Sequence, residues 1–217
     1  KEVKTVVIKE KSKNTDLENL TDLYNSGALI KEEFDKAKKI IQKTEKKKNF
    51  YSASYLIKYI NCNHIISNEF HEKSLNLKRN IRTVAEKLRM DKGLVHEAWY
   101  FSELKKKYSK VKDIKKLKGL SKEEKIKETI KALKDGYELI YGGWLKSGNW
   151  SGELDFLEIN KKVKSDLGSW SYEITDTKHS QKVKGDHIYQ QGIYINLLKE
   201  VQGILPEKFY ILLKDKS

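Results

Sequence analysis

Cysteine is nearly absent from this sequence, and long apolar runs are wholly absent. The single cysteine among 217 residues, Cys62, excludes an intrachain disulfide framework and any zinc or iron–sulfur site built from four thiolates of this chain. That suits a reducing compartment. No run approaches the roughly 20 apolar residues of a membrane-spanning helix, and the first residues lack the short apolar core of a signal peptide. A cytoplasmic protein without membrane contact is the expectation. Acidic residues are also in deficit: 45 Lys and Arg face 31 Asp and Glu, a formal net charge of +14. Such a surface attracts polyanions, of which nucleic acid is the commonest in the cytosol. A genome poor in G and C enriches lysine, isoleucine and asparagine as well, so charge alone does not select a partner.

The length allows one sizeable domain with a small appendage. Residues 1–15 hold one short apolar run, Val6 to Ile8, between charges. After it, Leu17, Leu20 and Leu23 fall at helical spacing, Asn25-Ser26-Gly27 stops the helix, and Phe34, Ala37, Ile40 and Ile41 mark a second. This helical hairpin, with its leucine-rich first helix, its glycine turn and the Glu32-Glu33-Phe34 entry to the second helix, resembles the SHOCT module; an ordinary amphipathic hairpin is the alternative. The lysine-dense stretch 43–49 is the expected linker, so the appendage spans 1–48 and the main domain 49–217.

The main domain opens with helical periodicity. Tyr55, Leu56, Tyr59 and Ile60 share a face, a loop is expected near 61–63, and Ile81, Val84, Leu88 and the segment Val95 to Leu104 continue the pattern. Residues 105–118 carry eight lysines and one aspartate, which reads as a solvated face or a track for a phosphate backbone. Ser121 with Glu124 forms a capping box for a helix reaching about Leu133. Strands are then expected over 137–145, 150–159 and 171–178, a helix over 184–202 and a last strand over 208–214. The order α-β-β-β-α-β describes a mixed α/β (α+β) domain preceded by helices.

Two of these strands carry charge on otherwise apolar segments. Asp176 and Lys178 alternate onto one face, about 6–7 Å apart along the strand. If 150–159 pairs with 171–178, Asp155 joins them, and two adjacent carboxylates repel unless a hard divalent cation such as magnesium or manganese lies between them. Lys178 can then orient a metal-bound water or offset charge growing on a phosphate, the requirements of phosphodiester hydrolysis. Gln190 and Tyr194, one helical turn apart, can contact a phosphate or that water. An exposed charged hairpin is the structural alternative. Glu153 reads as a rim acid, the four tryptophans as packing, and His64, His71, His179 and His187 as incidental.

The combination Gly152-x-x-Asp155, Asp176-x-Lys178 and Gln190-x-x-x-Tyr194 on this element order resembles the PD-(D/E)XK nucleases, whose fold is the restriction-endonuclease-like core, and within them the RecB-like exonucleases. "LVHEAW" (94–99) is similar to that branch's upstream helical motif, and "YSASYLIKYINCNHI" and "SDLGSWSYEITDTK" are similar to RecB-family nucleases fused or linked to helicases. The resemblance covers roughly 50–213. It implies a DNA nuclease of repair or recombination that uses magnesium or manganese. Asp155, Asp176 and the Thr177 carbonyl would be metal ligands, His96 an auxiliary ligand, Lys178 the catalytic lysine, and Gln190 with Tyr194 the pair that orients substrate or lysine. DNA would be the substrate and a helicase a possible partner, and relatives continue past the point where this chain stops. With Cys62 alone, the iron–sulfur cluster of some relatives is not expected. The rival classes are a nucleic-acid-binding domain without catalysis and a helical protein-interaction adaptor.

Overall fold

A computed structural model describes residues 21, 24–27, 30–36, 38, 51–72, 76, 77 and 81–214. The chain divides into two units, Lys1–Asn49 and Phe50–Ser217. In the first, Gly27 turns the chain in a left-handed conformation (φ 76°) that a residue without a β-carbon adopts freely. Residues 31–36 are helical, and the Tyr24 and Phe34 rings stack with centroids 4.6 Å apart. Leu17, Leu20, Leu23, Ala37, Ile40, Ile41, the segment 1–15 and the linker lie outside the described residues.

The second unit begins with two short helices, α1 (Ala53–Asn61) and α2 (Asn63–His71), separated by Cys62 alone and tied by a Lys58–Glu69 ion pair at 2.5 Å. The 24-residue α3 (Val84–Lys107) starts at a capping box in which Thr83 and Glu86 satisfy each other's backbone N–H groups. Its first half stands exposed, with Val84, Leu88 and Val95 facing solvent; only Glu97, Phe101 and Leu104 are buried. There follow β1 (Val111–Asp113), α4 (Lys122–Lys134), β2 (Leu139–Ser147), β3 (Trp150–Asn160), β4 (Ser171–Lys178), α5 (Gly185–Gln202) and β5 (Phe209–Leu213).

The strands form one sheet in the order β1-β2-β3-β4-β5, antiparallel through β2, β3 and β4 and parallel at both edges. From α4 onward this is the expected α-β-β-β-α-β order, and the class is mixed α/β. Strand β1 was not expected, because it lies in the lysine-dense segment. Its lysines find partners across the fold, Lys112 with Glu128 at 2.7 Å, and Ile114 directly after it is fully buried.

Side chains that alternate along a strand serve opposite faces. Ile140, Leu157 and Ile174 pack with Leu133 of α4 and with Leu197 and Leu198 of α5, whereas Leu139 and Phe156 pack with Phe101 and Leu104 of α3. Each such fully buried aliphatic side chain contributes about 1.5–3 kcal/mol. The sheet is thus covered by α3 on one face and by α4 and α5 on the other.

At one place the alternation fails. The β2–β3 ladder pairs Tyr141 with Phe156 and Gly143 with Leu154, passing over Gly142 and Asp155. Gly142 has φ 66°, and Leu154 and Leu157, three residues apart, join the same cluster. The strand therefore turns over at Asp155, and Glu153 and Asp155 do not share one regular alternation.

Candidate active site

The pairing of β3 with β4 runs from Asn160–Ser171 to Phe156–Thr175 and stops. Beyond it the strands part, while β4 remains anchored to β5 through Asp176–Ile211 and Lys178–Leu213. The Asp155 side chain bridges the gap. Its Oδ2 accepts the Thr177 backbone N–H at 2.8 Å and the Thr177 hydroxyl at 2.9 Å. Asp176, only 1 % exposed, faces the Lys178 ammonium, whose Nζ lies 2.5 Å from Oδ2.

Helix α5 closes the site from one side. Gln190 and Tyr194 are one turn apart, the Gln190 amide donates to the Tyr194 hydroxyl at 3.0 Å, and its Nε2 lies 3.4 Å from Asp176 Oδ1. Tyr194 is 7 % exposed, and burial raises its phenol well above the usual range. Gly152 makes this approach possible: a β-carbon there would lie 2.5 Å from Tyr194 Cε1.

The electrostatics follow from crowding acids in a buried place. Burial, then the Asp176 and Glu97 charges, push the Asp155 carboxyl up to about 7, against the pull of the Thr177 N–H. Asp176 is raised by burial as well, with the Lys178 ammonium opposing. On the same side, burial and the Lys178 charge push the His187 imidazole down.

Two neighbouring residues of "LVHEAW" have different surroundings. Glu97, not His96, is the buried member, and its charge bears on both aspartates. Glu97 pairs with the Lys115 ammonium, which also lies 3.5 Å from Glu153. Burial disfavours that ammonium, but the Glu97 hydrogen bond and charge outweigh it, and the Lys115 pKa is raised. The His96 ring stacks on Trp99 at 5.7 Å and stands 6.3 Å from His179; its Nε2 is buried without a hydrogen-bond partner. Successive helical residues point about 100° apart, so α3 can turn only one of the two fully inward.

Among the described residues no group of three or more His, Cys, Asp or Glu side chains is placed to hold a metal ion, so His96, Asp155 and Asp176 do not converge as a three-ligand set. The donor chemistry fits a cation that takes few protein ligands. Two neighbouring carboxylates, both disfavoured as anions by burial, gain from a divalent ion, and magnesium keeps several waters beside one or two carboxylates. The chain thus brings together Asp155, Asp176, Thr177, Lys178, Gln190 and Tyr194. Glu97, Lys115 and His187 were not foreseen. Glu97 stood inside a motif weighed for its histidine, and Lys115 in a run weighed as a whole.

Cys62 is a free, exposed thiol. Among the described residues no helix is long and apolar enough to cross a membrane. No family model matches this chain, and neither a curated protein nor a solved structure does.

Proposed function

We propose that the second unit is a metal-dependent deoxyribonuclease of the RecB-like PD-(D/E)XK type, with a restriction-endonuclease-like core, acting in DNA repair or recombination. One observation carries this reading: where β3 and β4 part, a half-buried Asp155 stands together with a fully buried Asp176, and an ammonium lies 2.5 Å from the buried one. A solvated charged hairpin has no reason to bury these groups. Asp155 and Asp176, with the Thr177 carbonyl, would hold magnesium or manganese, which when bound supplies Lewis acidity and a more acidic water. Lys178 donates hydrogen bonds to the attacking water or to a non-bridging phosphate oxygen and offsets the negative charge that grows there. Gln190 holds the Tyr194 hydroxyl and Asp176 Oδ1 in one arrangement, which fixes the acid toward the lysine. The net charge of +14 supports a polyanionic substrate. The SHOCT-like first unit, in this reading, serves contacts with other proteins such as a helicase.

The lack of a third side-chain ligand among the described residues favours one rival, a nucleic-acid-binding domain without catalysis. Incubation with single- and double-stranded DNA and magnesium or manganese separates the two. Cleavage by the wild type that is lost in Lys178→Ala and Asp176→Asn, with binding retained, is the expected result. Binding without cleavage in any metal establishes the rival.

A further inference from the structure

Next to the strand-end site a cavity of about 350 Å³ opens among the N-terminus of α1, the β2–β3 hairpin and α5. That volume lies within the range of small-ligand pockets. Gln190 and Tyr194 line it and also belong to the aspartate cluster, so the two spaces share a wall. Nothing in the proposed hydrolysis uses the rest of its lining.

The lining is more apolar than polar, and its polar groups are mainly hydrogen-bond donors. The Ser151 hydroxyl is fully buried, borders the cavity and has no hydrogen-bond partner, an arrangement that costs stability unless a ligand completes it. Ser52 occupies the N-cap of α1 without capping it. Its hydroxyl lies instead 2.7 Å from that of Ser54, and because only one of the two can donate within the pair, one hydroxyl proton is left for an outside acceptor. No acidic residue sits in the first turn of α1, and Ser52 and Ser54 stand at its N-terminal, positive dipole end. Lys122 adds a cation, held 4.7 Å from the Trp144 ring, and burial pushes its pKa down, so an anion beside it gains. Glu153 is the one carboxylate on the rim, and Lys115 lies 3.5 Å from it. Ile57, Trp144 and Tyr194 supply an apolar wall suited to a sugar or base.

We propose that this cavity binds a phosphate group of the nucleic-acid strand next to the one that is cleaved, either a terminal monoester or an internal diester. The identity of the strand rests on the nuclease reading; the anion site rests on the cavity. A phosphate offers acceptors at once to the Ser151 hydroxyl, to the one free proton of the Ser52–Ser54 pair and to the Lys122 ammonium, with its attached nucleoside against the apolar wall. Its seat would set how far from a strand end, or along a strand, the scissile bond is placed.

The test measures binding of short, internally labelled DNA single strands bearing a 5′-phosphate, a 3′-phosphate or neither, to the full chain in chelator. Ser54→Ala, Ser151→Ala and Lys122→Gln are each expected to weaken binding about tenfold, the scale of a lost charge-assisted hydrogen bond. Lys134→Gln, the same charge change at the exposed far end of α4, should change it far less. Ser151→Ala should melt no lower than the wild type, because it removes an unpartnered hydroxyl. Loss confined to one phosphorylated strand identifies a terminal monoester; equal loss on all three identifies an internal diester. Unchanged affinity in the three variants, or an equal loss in Lys134→Gln, overturns the proposal. Cleavage with manganese is scored in parallel. A cleaving wild type with variant-insensitive binding overturns the cavity and leaves the nuclease; variant-sensitive binding without cleavage does the reverse; no binding by the wild type overturns both.

Discussion

The backbone N–H of Thr177 donates to Asp155 Oδ2 at 2.8 Å, at the step where the β3–β4 ladder would otherwise pair main chain with main chain. A carboxylate thus takes the place of a carbonyl, and the strands are held apart by a side chain rather than zipped. The gap exposes polar atoms of both strands to one another inside the fold. It also gives Asp155 two duties, as a prop for β4 and as a candidate ligand, so removing it outright disturbs both. Asp155→Asn is the more informative change, since its amide oxygen still accepts from Thr177.

Stability should fall as pH rises through the acid range. The Asp155 carboxyl, raised to about 7, holds its proton in the folded state where the unfolded chain, near 4, has lost it. The folded state then binds more protons between these values, and its advantage is present below about 4 and is lost progressively up to about 7. Asp155→Asn carries no such charge. In metal-free buffer the variant should melt higher than the wild type at pH 8, and the difference should close by pH 4 in a series of thermal melts.

A divalent cation should reverse that ordering. With manganese or magnesium present the two carboxylates are compensated, and the wild-type melting temperature should rise with metal concentration as ligand linkage requires. A site that holds the ion at one hundred times its dissociation constant adds about 2.7 kcal/mol. Asp176→Asn should show little or no rise, and the readout is independent of any DNA cleavage.

Lys178 should matter for folding as well as for chemistry. Its ammonium is the positive group beside an aspartate that is 1 % exposed, so Lys178→Met leaves a buried carboxylate uncompensated. Breaking such a pair costs about 3–5 kcal/mol. The loss should be greatest at high pH and shrink as Asp176 takes up a proton. Adding Asp176→Asn to Lys178→Met should recover stability in denaturant titrations without restoring cleavage.

Gly152 should tolerate no side chain. The alanine β-carbon would meet the Tyr194 ring at 2.5 Å, and an aromatic ring packed on α5 has little room to retreat. Gly152→Ala should cost about 1–3 kcal/mol, the scale of overpacking. It should also weaken cleavage by moving the Gln190–Tyr194 pair. Tyr194→Leu in the same chain should restore much of the melting temperature but not the activity.

Much of the site could be read along the chain because its rules are local. Asp176 and Lys178 share a face by the two-residue period of a strand, and Gln190 and Tyr194 by the turn of a helix; both pairs sit together as those periods require. The run of elements from Ser121 to Leu213 was legible for the same reason, since capping, turn chemistry and hydrophobic period are written within a few residues of where they act. The hidden features depend on neighbours distant in sequence. Strand β1 lies in a lysine run that read as a solvated face or a phosphate track, and in the fold Lys112 of the strand meets Glu128 and Lys115 just after it meets Glu97; that Glu97 is buried was decided by which side of α3 lies against the sheet. The reversal of β3 at Asp155 needed Gly142 on the adjoining strand, and the unpartnered Ser151 hydroxyl became visible only once α1 and α5 had closed around it. Sequence alone determined which side chains each segment offers and the direction each element turns them. Tertiary packing decided which charges lose water together, because burial is a property of what a residue meets and not of what precedes it in the chain.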